Sequence, residues 1–183
     1  AGTTTVTVTA SDGSFDTLCS FTIIVTDQTA PTAICQNIIL PLDQNGLASI
    51  ATSDIDFGSS DNCGSITSSL DSTTFSCNDL GDNLVVLTIT DQGGLTSTCN
   101  AMVTVVDTLA PQIFTQDIIV YLDANGEVSI TPQDIDAGST DNCGIVSYSL
   151  DTTSFDCSNT GPNQVTLTLT DASANTSAST AIV

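Results

Sequence analysis

A repeat of 80 residues constrains this chain more than any other feature of its sequence. The segment Ala30 to Gly46, APTAICQNIILPLDQNG, returns as APQIFTQDIIVYLDANG at Ala110 to Gly126. The segment Ser53 to Gly64, SDIDFGSSDNCG, returns as QDIDAGSTDNCG at Gln133 to Gly144. A fixed period of this kind indicates repeated structural units that are packed against their neighbours.

The period divides the 183 residues into three parts. Residues 1–27 read as the C-terminal strands of a preceding repeat, because Thr7 to Pro31 is similar to Leu87 to Pro111. Residues 28–107 form a complete repeat, and residues 108–183 form a second repeat that is truncated at its C-terminus. We therefore expect a window onto a longer array, or a subunit whose first strands are completed by a neighbour.

Each repeat has the pattern of β-structure throughout. Val85, Leu87 and Ile89 alternate with other residues, as expected of a strand with one buried face. The Asp43-Gln-Asn-Gly46 segment supplies the residues of a hairpin turn, and Asp123 begins the same turn in the next repeat. About seven short strands per repeat, rich in Thr and Val, predict an all-β fold of tandem immunoglobulin-like β-sandwiches.

The charge of the chain excludes several functions. It has 21 acidic residues and no Lys, Arg or His, so its formal net charge is −21. A chain without cationic side chains cannot neutralise phosphates, which excludes nucleic acid as a partner. It has no imidazole base and no lysine for a Schiff base, and we predict that it is not an enzyme. No apolar run approaches the ~20 residues of a membrane span, so we expect no direct membrane insertion.

The cysteines indicate disulfides and therefore an oxidising, extracellular compartment. Cys35 and Cys99 become Thr115 and Ser179 in the second repeat, and this joint loss predicts a Cys35–Cys99 bond. The recurrence of the other pair predicts Cys63–Cys77 and Cys143–Cys157 bonds. Cys19 aligns with Cys99, so its partner is expected before residue 1.

Calcium is the cofactor that the acidic residues suggest. Asp54, Asp56 and Asp61 are spaced as Asp-x-Asp-x-Gly-x-x-Asp, and the same spacing recurs later in the chain. Calcium takes six to eight oxygen ligands, which closely spaced Asp side chains and carbonyls can supply. The alternative is that these side chains cap turns through bonds to nearby backbone N–H groups. The candidate ligands are Asp27, Asp54, Asp56, Asp61, Asp107, Asp134, Asp136 and Asp141.

Three motifs together resemble the hyalin repeat (HYR) family over the whole chain. They are Asp-x-x-Ala-Pro at Asp27 and Asp107, Asp-Asn-Cys-Gly at Asp61 and Asp141, and the Thr90-Asp91 segment that runs through Cys99 to Asp107. The Leu-Asp-x-Asn-Gly turn is similar to variants found in giant surface proteins and gliding adhesins of Bacteroidota. The Cys-Pro of the family's first strand is Cys35-Gln36 here.

The resemblance implies an extracellular module used for adhesion and as a spacer, exported in the bacterial relatives by type IX secretion. We therefore expect a structural stalk or adhesion segment of a large secreted cell-surface protein, which includes gliding adhesins. Its partners would be neighbouring repeats, cell-surface or secretion-machinery proteins, or like subunits. Two alternatives stay open: a filament subunit completed by strand donation, and a calcium-dependent module that binds glycans or partners.

The resemblance also suggests glycosylation. Each Asp-Ser or Asp-Thr of the chain is followed by Leu or Thr, as in the O-glycosylation signal of Bacteroidota. A Thr-rich β chain also produces such tripeptides by chance. The candidate acceptors are Thr17, Ser72, Thr108 and Thr152.

Overall fold

The computed structural model describes residues 2–183, and these form an almost entirely β-structured chain. Two one-turn helices interrupt the strands, α1 at Thr52–Ile55 and α2 at Pro132–Ile135. The strands are β1 Gly2–Ser11, β2 Asp16–Val25, β3 Ile38–Pro41, β4 Leu47–Ser49, β5 Thr67–Leu70, β6 Thr74–Ser76, β7 Gly81–Thr90, β8 Thr96–Val106, β9 Glu127–Ser129, β10 Ile145–Leu150, β11 Ser154–Asp156, β12 Gln164–Asp171 and β13 Thr176–Ile182.

The strands pair in the antiparallel manner expected of sandwiches. β1 pairs with β2, and β4 pairs with β6. β3, β8, β7 and β5 form a four-stranded sheet in that order. In the second repeat, β10, β12 and β13 form one sheet and β9 pairs with β11. The arrangement confirms the all-β, immunoglobulin-like class that the alternating pattern predicts.

Contacts group the described residues into two compact units. The first contains the residues through Ile38 together with Ile50–Thr73 and Leu84–Val103. The second contains Ile39–Ser49, Thr74–Asn83 and Thr104–Val183. These units follow spatial contacts and not the sequence period, so the repeat boundaries after residues 27 and 107 stay predictions.

Apolar side chains at alternate strand positions are buried in each unit. In the first unit Val85, Leu87 and Ile89 of β7 are fully buried, as are Ala101 and Val103 of β8. The alternation of β7 thus places one face of the strand in the interior, as its sequence predicts. The core of the second unit consists of Ile130, Ile135, Phe155, Val165, Leu167, Leu169 and Ala181.

The β1–β2 hairpin differs from the other strands because its apolar side chains are exposed. Val8 pairs with Cys19 and Val6 pairs with Phe21 across the hairpin. Phe21 is 51% exposed and Ile23 is 44% exposed, although their positions correspond to those of the buried Ala101 and Val103. One face of the hairpin therefore carries the residue types of a sandwich core without the covering that a core has.

No helix among residues 2–183 is both long enough and apolar enough to cross a lipid bilayer.

Candidate metal centres and disulfides

Two clusters of three aspartates are the strongest candidate sites in the described chain. Asp27, Asp61 and Asp91 lie in the first unit, each with an oxygen within 4.8 Å of an oxygen of the other two. Asp107, Asp141 and Asp171 form the same arrangement in the second unit. We call these the first and second aspartate clusters. Each contains two of the predicted ligands together with one residue, Asp91 or Asp171, that the sequence reasoning missed.

Turns and strand ends hold the carboxylates of the second cluster in place. One carboxylate oxygen of Asp107 accepts a bond from the N–H of Leu109 at 3.1 Å, and one of Asp141 accepts from the N–H of Cys143 at 3.1 Å. Asp171 follows the same rule at the β12–β13 turn, where its Oδ1 accepts from Ser173 and Asn175, both at 2.8 Å. Each aspartate is thus anchored by its own local turn.

Several oxygens in the clusters are buried without any hydrogen-bond donor. Asp107 and Asp91 are each only 6% exposed, and the Oδ2 atom of each has no partner in the described chain. Three further buried oxygens have no hydrogen-bond partner in the described chain: Asp61 Oδ1, Asp141 Oδ2 and Asn142 Oδ1. A buried carboxylate oxygen without a donor is costly, and three adjacent negative charges raise that cost further. Because the chain has no Lys, Arg or His, no basic side chain of its own can neutralise them.

Oxygen-only donor sets of this kind fit a hard divalent cation. Calcium binds carboxylate, amide and carbonyl oxygens, and all five unpartnered atoms are carboxylate or amide oxygens. Asn142 lies beside the second cluster, where its Nδ2 donates to Asp107 Oδ1 at 3.1 Å. Asp107, Asp141, Asp171 and Asn142 would hold one ion, and Asp27, Asp61 and Asp91 would hold another.

The remaining predicted ligands lie outside the clusters and cap turns. Asp54 accepts from the N–H of Ala51 at 2.7 Å, and Asp134 accepts from that of Thr131 at 2.7 Å, at the starts of α1 and α2. Asp56 and Asp136 accept from the N–H groups of Ser59 and Ser139 at 2.8 and 3.0 Å. The close Asp-x-Asp spacing therefore serves backbone capping, and the structure does not bring these four side chains together with Asp61 or Asp141.

Asp43 and Asp123 organise the two Leu-Asp-x-Asn-Gly turns, as the sequence pattern predicts. Oδ1 of Asp43 accepts from Asn45 at 2.8 Å and Leu47 at 3.0 Å, and Asp123 makes the equivalent bonds. The N–H groups of Leu47 and Asn45 lower the pKa of Asp43 below its ordinary value. The N–H groups of Glu127 and Asn125 lower the pKa of Asp123 in the same way, so both turns contain carboxylates that stay ionised.

Two disulfides are present among residues 2–183, and one of them corrects the sequence prediction. Cys35 is bonded to Cys99, the pair whose joint loss in the second repeat indicated a bond. Cys77 is bonded to Cys143, with 5.4 Å between their Cα atoms. The predicted Cys63–Cys77 and Cys143–Cys157 bonds are therefore wrong. Cys19, Cys63 and Cys157 are exposed free thiols.

The charge environment of Cys63 distinguishes it from an ordinary exposed thiol. The Asp27 carboxylate raises the pKa of the Cys63 thiol above its ordinary value, and burial and Asp61 act in the same direction. Negative charge disfavours the thiolate, which is the reactive form of cysteine. The first aspartate cluster thus affects the thiol beside it.

The predicted glycan acceptors lie at different degrees of exposure. Thr17, Thr108 and Thr152 are exposed, whereas Ser72 is half-buried. Their modification stays a prediction.

A cavity of about 580 Å³ lies in the second unit, away from the aspartates of the second cluster. Its walls are largely apolar and include Ile118, Val128, Phe155 and Val183. Asp156 is its one acidic wall residue, and the N–H of Ser158 donates to that carboxylate at 2.8 Å.

Comparison with known proteins gives only distant structural likeness. No family model and no curated protein matches the chain. The protocadherin gamma B7 extracellular cadherin domains 1–4 are 17% identical at a TM-score of 0.41, over 99% of this chain and 56% of that one. The protocadherin gamma B7 EC3–6 cis-dimer structure is 14% identical at a TM-score of 0.38, over 98% of this chain and 59% of that one. The human desmocollin-1 ectodomain is 12% identical at a TM-score of 0.34, over 91% of this chain and 39% of that one. The chain spans less than two thirds of each of these structures.

Proposed function

We propose that this chain is a structural segment of an extracellular adhesion or stalk protein whose repeats are stiffened by calcium. The single observation that carries the proposal is the recurrence of the aspartate cluster, with the same residues at the same spacing. Asp27, Asp61 and Asp91 are separated by 34 and 30 residues, and so are Asp107, Asp141 and Asp171. Two equivalent oxygen sites, one in each unit, support a role that recurs with the repeat.

The position of the clusters indicates what bound calcium would do. Asp27 follows strand β2 and Asp107 follows strand β8, and each begins an Asp-x-x-Ala-Pro segment. Asp61 and Asp141 lie in loops, and Asp91 and Asp171 lie at strand ends. An ion held by all three residues would tie the segment after the strand to a loop and to a turn of the same unit. Calcium would thus restrict the chain at the two places where Pro31 and Pro111 already limit its freedom.

Other properties support an extracellular location for this function. The Cys35–Cys99 and Cys77–Cys143 disulfides are typical of proteins from oxidising compartments. Millimolar free calcium, which weak extracellular calcium sites require, is also available there. The resemblance to hyalin repeats adds the adhesion and spacer roles to the proposal. Gliding adhesion, type IX export and glycosylation of the candidate Ser and Thr residues rest on that resemblance alone.

Calcium binding measured by isothermal titration calorimetry tests the proposal. We expect the chain to bind two calcium ions, one at each aspartate cluster. Asp61→Asn and Asp141→Asn are matched variants, because each residue uses one oxygen to cap a Cys N–H and leaves the other unpartnered. Each variant should lose one ion because it removes a charge and replaces a ligand oxygen by an amide N–H₂.

Asp134→Asn is the control, since Asp134 caps α2 outside both clusters and should leave two ions bound. Absence of binding at millimolar calcium, or equal binding by the two cluster variants and the parent chain, would contradict the proposal.

A filament subunit is the second candidate, and the exposed face of the β1–β2 hairpin favours it. Phe21 and Ile23 point to the face that is fully buried in the equivalent strand β8, and an isolated hairpin is at best marginally stable. Strand donation would cover this face with another subunit.

Sedimentation equilibrium separates this candidate from a monomeric stalk segment. The filament candidate predicts self-association that Ile23→Ser weakens by about tenfold, the amount that removing one buried aliphatic contact costs at an interface. Ile24→Ser is the matched control, because Ile24 is on the opposite face and is 68% exposed. A chain that stays monomeric at all concentrations would eliminate the filament candidate.

A further inference from the structure

The Cys77–Cys143 disulfide is part of a docked loop. Asn142 and Cys143 lie against the turn at Asp43–Gly46, where Asn142 Nδ2 donates to the carbonyl of Asp43 at 3.2 Å. Gly46 is buried beneath this contact. A Cβ atom on Gly46 would come within 2.5 Å of Cys77 Sγ and 2.7 Å of the Asn142 carbonyl. The turn can therefore receive an Asn-Cys-Gly loop only because a glycine occupies this position.

The second repeat contains the same receiving surface. Asp123 N–H donates to the Glu127 carbonyl at 2.9 Å and Gly126 N–H to the Asp123 carbonyl at 3.0 Å, as in the equivalent bonds of Asp43 and Gly46. Cys157 Sγ lies 3.8 Å from the Gly126 carbonyl, and Cys77 Sγ lies 3.7 Å from that of Gly46. A Cβ on Gly126 would come within 2.7 Å of Cys157 Sγ. The turn and its cysteine thus have the geometry of the docked site.

The two turns differ in whether the cysteine beside them is disulfide-bonded. Cys77 is bonded and half-buried, whereas Cys157 is an exposed free thiol. The occupied first turn shows, within the same molecule, which chemical group this surface takes. That group is an Asn-Cys-Gly segment, here Asn142-Cys143-Gly144. Its Asn contacts the turn and its Cys forms the disulfide.

We propose that the turn at Asp123–Gly126 and Cys157 form a site that binds an Asn-Cys-Gly loop of a further repeat and bonds covalently to its cysteine. The bond forms when the Cys157 thiolate attacks the loop sulfur of a mixed disulfide. The new Sγ–Sγ bond replaces the bond between the loop sulfur and the small-molecule oxidant, whose sulfur leaves as a thiolate with the electron pair. The proton of Cys157 passes to water. This site goes beyond the proposed function.

The experiment uses the oxidised chain and a synthetic peptide with the sequence of residues 139–146, STDNCGIV, whose cysteine carries a 2-nitro-5-thiobenzoate leaving group. We expect capture at Cys157 at least about tenfold faster than capture of a control peptide with Asn and Gly exchanged, STDGCNIV. Release of the coloured thiolate gives the rate, and mass spectrometry of proteolytic fragments gives the cysteine that reacted. Cys19 is the internal control, since it should react with both peptides at the same rate.

Equal rates for the two peptides at Cys157, or preferential capture at Cys19, would overturn the proposal. A parallel sample without peptide, oxidised with glutathione disulfide, distinguishes the source of the loop. A Cys63–Cys157 cross-link between molecules would identify a second copy of the chain as the source, because Asn62-Cys63-Gly64 is an exposed loop of this type. Peptide capture without that cross-link would assign the loop to another repeat.

Discussion

Asp91→Asn is expected to stabilise the chain without calcium and to destabilise it with calcium. Asp91 Oδ2 is buried without a partner in a cluster with Asp27 and Asp61, so its charge is unfavourable while no cation is bound. An amide at this position keeps the acceptor for the Leu95 N–H, a bond of 2.8 Å, and removes one negative charge. The expected gain is about 1 kcal/mol in the free energy of unfolding, the usual size of single-residue effects.

With calcium the sign reverses because the variant loses the ion. A ligand at 100 times its dissociation constant stabilises the folded state by about 2.7 kcal/mol, and this contribution disappears with the site. Urea unfolding in EDTA and in about 10 mM calcium, which is about 100 times a dissociation constant of about 0.1 mM, gives both values. Asp54→Asn, which changes a capping residue of α1 outside the clusters, should shift stability equally in the two conditions. The same sign for Asp91→Asn in both conditions would show that this cluster is not a calcium site.

Cys77→Ala with Cys143→Ala is expected to lower the free energy of unfolding by about 4 kcal/mol, because the disulfide closes a long loop. The two cysteines are 66 residues apart in sequence, so their bond removes much of the conformational freedom of the unfolded chain. Chemical denaturation of the double variant and the parent chain under non-reducing conditions measures the difference.

Cys157→Ala separates the observed bond from the bond that the sequence predicted. Cys157 is an exposed free thiol, so its replacement should change stability by less than about 0.5 kcal/mol. If Cys143 were instead bonded to Cys157, the same replacement would remove a short-loop disulfide and cost about 3 kcal/mol. A loss of that size would contradict the Cys77–Cys143 connection.

The strands and the turns were predictable because local chemistry determines them. The alternation of Val85, Leu87 and Ile89 follows from one buried face, and the structure buries these side chains completely. The Leu-Asp-x-Asn-Gly turn needs a carboxylate that accepts adjacent N–H groups, and Asp43 accepts two of them. Neither feature depends on residues that are far away in the sequence.

The disulfides were only partly predictable because a period cannot identify which copy of a residue is the partner. Cys63 and Cys77 both recur after 80 residues, at Cys143 and Cys157. A bond within a repeat and a bond from Cys77 to Cys143 of the next repeat give the same recurrence. Cys35 and Cys99 were different, because their joint replacement by Thr115 and Ser179 tied the two positions together. In the structure, the hydroxyls of Thr115 and Ser179 lie 3.1 Å apart, a hydrogen bond in place of the disulfide.

The aspartate clusters were also only partly predictable, because their residues are far apart in the sequence. Close spacing makes Asp54 and Asp56 candidate ligands, but neighbouring carboxylates are also well placed to cap their own backbone, as these do. The residues that meet are 34 and 30 positions apart, which only the folding of the sandwich can bring together. One signal was present in the sequence: Thr90-Asp91 recurs as Thr170-Asp171, at the end of a buried strand.

Asn142 links the second aspartate cluster to the formation of the Cys77–Cys143 disulfide. Its Nδ2 donates both to Asp107 Oδ1 and to the carbonyl of Asp43, and the next residue is Cys143. Whatever fixes Asp107 and Asn142 also holds the Cys143 sulfur beside Cys77. The Cys77–Cys143 disulfide should therefore form faster when a cation is bound, because the two thiols are held close together before they react. The rate at which the Cys77–Cys143 bond forms would then depend on the calcium concentration around the folding chain.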